Sequence, residues 1–173
     1  MHGTRKSARG VWLAALAIAL CGGCREDLTR DEAATALEEL SLTAEATSLT
    51  GSSIEIATSF TIGSAVEAAA GEIRTFIEAQ LPCAAITLIG ATLSIEYGAL
   101  PGTCTYRGLT YSGTHTITVM ANQMAEVIVM HEWVDFQNNR IEIDENAIAT
   151  WSTADRTQHV SHTMTWTRLS DNR

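Results

Sequence analysis

The sequence predicts an α+β domain: an antiparallel β meander of about five to seven strands, with one face covered by one or two N-terminal helices. Three observations lead there. Residues 109–120, 125–136, 140–152 and 157–169 form four successive runs rich in Thr, Val, Ile and Trp, the residues that fit a pleated surface. The runs are joined by short polar segments, 121–124, 137–139 and 153–156, where Asn and Asp tolerate the backbone of tight hairpin turns. Strands joined this closely are antiparallel, because a parallel return needs a long crossover. Upstream, two stretches carry apolar residues at helical spacing.

The chain opens with Arg5, Lys6 and Arg9 and no acid, followed by a continuous apolar run, 11–20. Basic segment, short apolar core and small residues before a cleavage point make a secretory signal. The run is shorter than the roughly 20 residues that span a bilayer. It ends in Leu20-Cys21-Gly22-Gly23-Cys24. The Gly22-Gly23-Cys24 ending resembles the lipobox of bacterial lipoproteins, with Cys21 in the slot usually held by Leu. The resemblance implies that Cys24 is lipidated and becomes the first mature residue. Residue 25 is Arg rather than the Asp that retains many such proteins at the inner membrane, which points to the outer membrane. In style the whole chain is similar to small secreted bacterial lipoproteins of unknown function. That likeness implies a membrane partner through the lipid, and no activity.

The organisation expected is therefore a signal over 1–23, a tether over 24–30 and a single α+β domain over 31–173. Losing residues 1–23 removes three basic side chains and no acid, taking the net charge from −9 to −12. Lys6 is the sole lysine, so the mature chain has no ε-amine for Schiff-base chemistry. Such acidity is a poor match for nucleic acid. Cys83 and Cys104 remain as an even pair in an exported chain, and a disulfide is the default. It stabilises by about 3 kcal/mol in the chain-entropy model.

Thr29 with Glu32 fits a capping box opening a helix over about 30–42, with Ala33, Ala36, Leu37 and Leu40 on one side. Thr50-Gly51-Ser52-Ser53 reads as a break, and 54–56 as a strand or connector. A second box, Ser64 with Glu67, opens a helix carrying Val66, Ala69, Ala70, Ile73, Phe76 and Ile77, stopped before Pro82. Gly71 inside it costs about 1 kcal/mol against alanine, which suggests close approach to another element. This helix is expected to cover the dry face of the sheet. Residues 86–89 and 91–97 add one or two strands, and Arg107-Gly108 is a turn into the meander.

Taking Asn138-Asn139 as a two-residue turn, Phe136 opposes Ile141, Val134 opposes Ile143, Met130 opposes Ala147 and Ile128 opposes Ala149. All eight are apolar and share one face. Ile117, Val119, Val160, Met164 and Trp166 extend it. The other face carries Thr114, Thr116, Thr118, Asp135, Glu142, Asp144, Thr163, Thr165 and Thr167, interrupted by Val127, Val129, Trp133 and Ile148. His131 and His159 also fall on this wet face.

This register puts Glu132 opposite Glu145 on the dry face, flanked diagonally by His115 and His162. Opposed carboxylates are unfavourable unless they share a proton or meet a cation. The two imidazoles, three strands apart, are about 14 Å from each other on a flat sheet and do not share a metal. Glu132 with His115, or Glu145 with His162, are within reach. The patch His115, Glu132, Glu145 and His162 is the candidate polar binding site. The alternative is that this end of the sheet is simply open to water, or that each Glu meets an arginine such as Arg74 or Arg107.

No zinc-protease, nucleophile-elbow or phosphate-loop pattern occurs: His131-Glu132 lacks the second histidine. The expectation is a non-enzymatic envelope protein with a structural or binding role, without cofactor or metal. The alternative is a carrier of an apolar ligand held in a cavity between helix and sheet.

Overall fold

The computed structural model describes residues 29–162 and 165–171. Two helices, α1 (Arg30–Ile56) and α2 (Val66–Gln80), precede nine strands: β1 (Ala84–Ile89), β2 (Thr92–Tyr97), β3 (Thr105–Tyr106), β4 (Leu109–Thr110), β5 (Ser112–Asn122), β6 (Glu126–Gln137), β7 (Ile141–Ser152), β8 (Thr157–His162) and β9 (Trp166–Arg168). Seven form one antiparallel sheet in the order β1-β2-β5-β6-β7-β8, with β9 pairing β7 beyond the end of β8. The short β3–β4 hairpin stands apart, turning at Arg107 and Gly108, both at positive φ. The predicted fold class is the one observed. The run 157–169 divides into two short strands, β8 and β9.

Helix α1 begins as the sequence indicates. The Thr29 hydroxyl accepts from the Glu32 N–H, and the Glu32 carboxylate accepts from the Thr29 N–H. It does not stop near Leu42, however, but runs on through Thr50-Gly51-Ser52-Ser53 to Ile56. The reason is tertiary. Leu42, Ala46, Leu49, Thr50, Ser53 and Ile54 are buried at helical spacing, and the serines find partners in the sheet. Ser53 Oγ accepts from Trp133 Nε1 at 3.0 Å, and Ser52 Oγ bonds the Tyr111 hydroxyl at 2.7 Å. Serine's weak helix propensity is offset by burial and by these bonds.

The second capping box does not form. Helix α2 starts at Val66 without a side-chain cap, and Ser64 Oγ donates to the Thr61 carbonyl instead. Gly71 has no close neighbour that explains it. Helix α2 does cover the dry face, over β5, β1 and β2, while α1 lies across β7 and β9. Cys83 and Cys104 form the expected disulfide, with Cα atoms 5.4 Å apart. It ties the end of α2 to the segment before the β3–β4 hairpin.

The register between β6 and β7 differs from the sequence reading. Phe136 pairs with Ile143, Trp133 with Glu145, His131 with Ala147 and Val129 with Ala149. The turn residues are Asn139 and Arg140: the Asn138 N–H donates to the Ile141 carbonyl, and Asn138 Oδ1 accepts from the N–H groups of Arg140 and Ile141. Beyond the turn, a β-bulge at Val134 and Asp135 shifts the register again. Asp135 has φ 49°, and its N–H donates to Asp144 Oδ1 at 2.7 Å. One extra residue reverses which side chains face the core. Thus Val127, Val129, His131 and Trp133 point inward, together with Phe136 beyond the bulge, whereas Val134 and Glu132 are exposed. Met130 and Ala147 stand on opposite faces.

The bulge needs Gly113. Its φ is 86°, and a Cβ there would lie 2.0 Å from the Asp135 carbonyl oxygen. Gly113→Ala combines left-handed strain with a backbone clash, and is expected to destabilise by roughly 3 kcal/mol or more. Urea denaturation checks this; a loss under about 1 kcal/mol shows that the bulge relaxes without the glycine.

Candidate functional site

Two features stand out: a buried row of polar side chains and an open apolar pocket. The row follows from the bulge. His115, His131, Glu145 and His162 lie on the inner face of β5, β6, β7 and β8. Each is displaced two residues from the cross-strand partner of its neighbour: Ile117 pairs with His131, His131 with Ala147, and Ala147 with His162. The row therefore runs diagonally across four strands. His115 Nε2 is 3.0 Å from His131 Nδ1, and His115 Nδ1 is 3.3 Å from the Tyr97 hydroxyl. His162 Nδ1 is 2.5 Å from Glu145 Oε1. The Glu145 side chain is wholly buried and that of His162 is 32% exposed.

Of the predicted patch, three members share a face and one does not. Glu145 and His162 touch, as expected. Glu132 is on the outer face opposite Thr116 and Asn146, so the acidic couple and the Glu132–His115 pair do not exist. His131, expected on the wet face, takes the place beside His115. His159 is exposed as anticipated. Arg74 and Arg107 pair with Glu78 and Glu55 rather than with either acid of the patch. Cys24 and Met164 lie outside the described residues.

The imidazoles are embedded in aromatic rings. Trp133 packs against both, 5.1 Å from His115 and 5.5 Å from His131 between centroids. Tyr97, Tyr111 and Phe136 close the cluster. Burial and the neighbouring imidazole hold His115 well below the usual histidine range, and burial lowers His131 to about 3. Both rings are neutral at pH 7. Burial likewise raises the Tyr97 and Tyr111 hydroxyls. The Tyr97 hydroxyl, the His115 ring and His131 Nδ1 form one hydrogen-bonded chain that ends at His131 Nε2. That nitrogen and Glu145 Oε2 are both buried without a hydrogen-bond partner. Two buried polar atoms are thus left open on diagonal neighbours of the β6–β7 ladder.

Three acids that the sequence places on the outer face come closer together there than the sequence indicates. Asp135, Glu142 and Asp144 bring carboxylate oxygens within 4.8 Å of one another, all of them at least partly exposed. The bulge explains this proximity, since Asp144 serves the Asp135 N–H.

The pocket lies at the opposite end of the inner face from the β6–β7 turn. About 470 Å³ is enclosed by Thr58, Phe60 and Ile62 from the α1–α2 connection, Val127 at the start of β6, and Trp151, Ser152, Thr153, Arg156 and Thr157 around the β7–β8 turn. With α2 over β5, β1 and β2, and α1 over β7 and β9, this corner is roofed by the connection. Asn122 pins that connection: its amide donates to the Thr61 and Ser64 carbonyls and accepts from the Gly63 N–H.

Comparison with known protein families, curated proteins and solved structures finds no match.

The imidazole pair gives the fold a pH dependence with a definite sign. The folded pKa of His131 lies below the unfolded value of about 6.5. Its contribution is therefore complete above pH 6.5 and is lost as pH falls toward 3, because the unfolded state takes up the proton first. The expected slope is about 1.4 kcal/mol per pH unit for this residue, with His115 adding in the same direction. Urea midpoints measured from pH 7.5 to 5 should fall accordingly, and His131→Gln should flatten the decline. An unchanged slope in that variant would show that other groups govern the acid limb.

Proposed function

We propose that the protein is a non-enzymatic lipoprotein of the bacterial cell envelope, anchored at the outer membrane through Cys24, with a structural or binding role. The observation that carries this reading is the Cys83–Cys104 disulfide. Disulfides persist in oxidising compartments, and this pair uses both cysteines left once Cys21 and Cys24 are assigned to signal processing. The side chains best suited to chemistry support a non-catalytic role. His115 and His131 are buried, hydrogen-bonded to each other and to Tyr97, and neither lines the apolar pocket; Glu145 is held by His162 at the edge of a separate open cleft.

The pocket favours a second reading, a carrier of an apolar ligand. Its volume is in the range of about 300–1,000 Å³ usual for small-molecule sites. Beneath the two helices the inner face is taken up by one cluster of buried apolar residues, and the apolar pocket is at the sheet's open corner.

Anchoring is tested with Cys24→Ser. The wild-type chain should fractionate with membranes, and its N-terminal peptide should begin at Cys24 with the added mass of acyl chains. The variant should move to the soluble fraction. Identical fractionation of the two, with no acyl mass on the wild type, removes the lipoprotein reading.

A further inference from the structure

We propose that the corner pocket binds a free single-chain anionic amphiphile, a fatty-acid-like molecule with its tail against Phe60, Ile62, Val127 and Trp151 and its carboxylate on Arg156. The inference rests on the carrier reading and names its ligand class. Apolar side chains make up the pocket's larger surfaces. Val127 is buried, Phe60 and Trp151 are partly buried, and Ile62 is 47% exposed at the mouth. An exposed isoleucine next to a half-open tryptophan is apolar surface that a hydrocarbon chain would remove from water.

The polar lining narrows the head group. Most of its hydroxyls are engaged within the protein. Thr58 Oγ1 donates to the Glu55 carbonyl, Ser152 Oγ to Asp155 Oδ2, and Thr153 Oγ1 to the Met124 carbonyl. A sugar or other polyhydroxy ligand, which needs many free partners, is poorly served. Arg156 is the one charged residue lining the pocket, and it is in none of the ion pairs found among the described residues. Asp155, its neighbour, accepts from the Ser152 hydroxyl through Oδ2 and donates its own N–H to the same Ser152 oxygen. A guanidinium presents paired N–H donors that match a carboxylate. The net charge, −9 for the whole sequence and −12 once residues 1–23 are lost, opposes an anion from afar, but exposed charges beyond about 8 Å are screened at physiological salt. The group in contact therefore decides.

The test titrates dodecanoate and dodecanol, by calorimetry and below micelle formation, against the full-length chain bearing Cys24→Ser, exported and purified without detergent. Dodecanoate should bind about tenfold more tightly than the neutral alcohol. Arg156→Gln should erase that difference, and Arg156→Lys should restore part of it. Two pocket-filling variants, Ile62→Trp and Thr157→Trp, each checked for fold by near-UV circular dichroism, should weaken both ligands. Equal affinity for acid and alcohol, unmoved by Arg156→Gln, overturns the anionic assignment and leaves the carrier reading standing. If neither molecule binds, or if both filling variants bind normally, the carrier reading falls and the assignment with it. If the protein instead sediments with anionic vesicles through Arg156 and takes up no free dodecanoate, the pocket is a membrane contact and the proposal is overturned.

Discussion

The structure depends on one extra residue in β6. At Val134 and Asp135 the strand bulges against β7, and the facing stretch of β5 shifts register between Ser112 and Thr114. Gly113 leaves space for the Asp135 backbone, and Asp144 takes up the bulged N–H. Side-chain parity along a strand is fixed at two, so a single inserted residue is the least change that turns His131 and Trp133 inward while keeping Phe136 in the core. From that reversal come the stacked rings at the sheet's centre and the partner for Ser53. The uninterrupted course of α1 follows in turn.

This explains what was legible in the sequence and what was not. Strand runs, turn positions to within a residue, the Thr29 cap and the cysteine pairing rest on local chemistry or simple counting, and they can be read from one stretch at a time. The inward face of β7 was legible too, because Ile141, Ile143, Glu145, Ala147 and Ala149 alternate without interruption. In β6 both parities are plausible: Ile128, Met130, Val134 and Phe136 make one apolar set, and Val127, Val129 and Trp133 another. The deciding signal was Gly113 on the adjacent strand, opposite an Asp in a run of strand formers. A glycine inside a strand pattern is a bulge signal, but its effect on face assignment falls on a residue more than twenty positions away. The break assumed at Thr50-Gly51-Ser52-Ser53 has the same origin. Local propensity argues against helix there, and the hydroxyls' partners, Tyr111 and Trp133, lie across the domain.

The division of labour between the helices places the open corner. Helix α1 is tied down at its middle and at its C-terminal end by charged and amide contacts, Glu45 to Arg140 and Asn138, and Glu55 to Arg107. It therefore crosses the sheet near the β6–β7 turn and leaves at the β3–β4 hairpin. Helix α2 then lies over the other half. What remains is the corner formed by the start of β6 and the end of β7, where Val127 pairs with Trp151. A short connection held by Asn122 covers it incompletely. The pocket is thus a consequence of two helices being asked to roof a seven-stranded sheet.

The polar row argues the same way about which parts of the domain are fixed. His115 with His131 joins β5 to β6, and Glu145 with His162 joins β7 to β8. Between β6 and β7 the row is open, with His131 Nε2 and Glu145 Oε2 unpartnered. Register on that ladder is carried elsewhere, by Asp144 on the bulge and by Asn138 at the turn. Buried polar contacts of this kind give little net stability, but a one-residue slip would move them to the other face and strip each of its partner. Their value lies in excluding the alternative β6 parity, the very alternative that its apolar residues would otherwise allow.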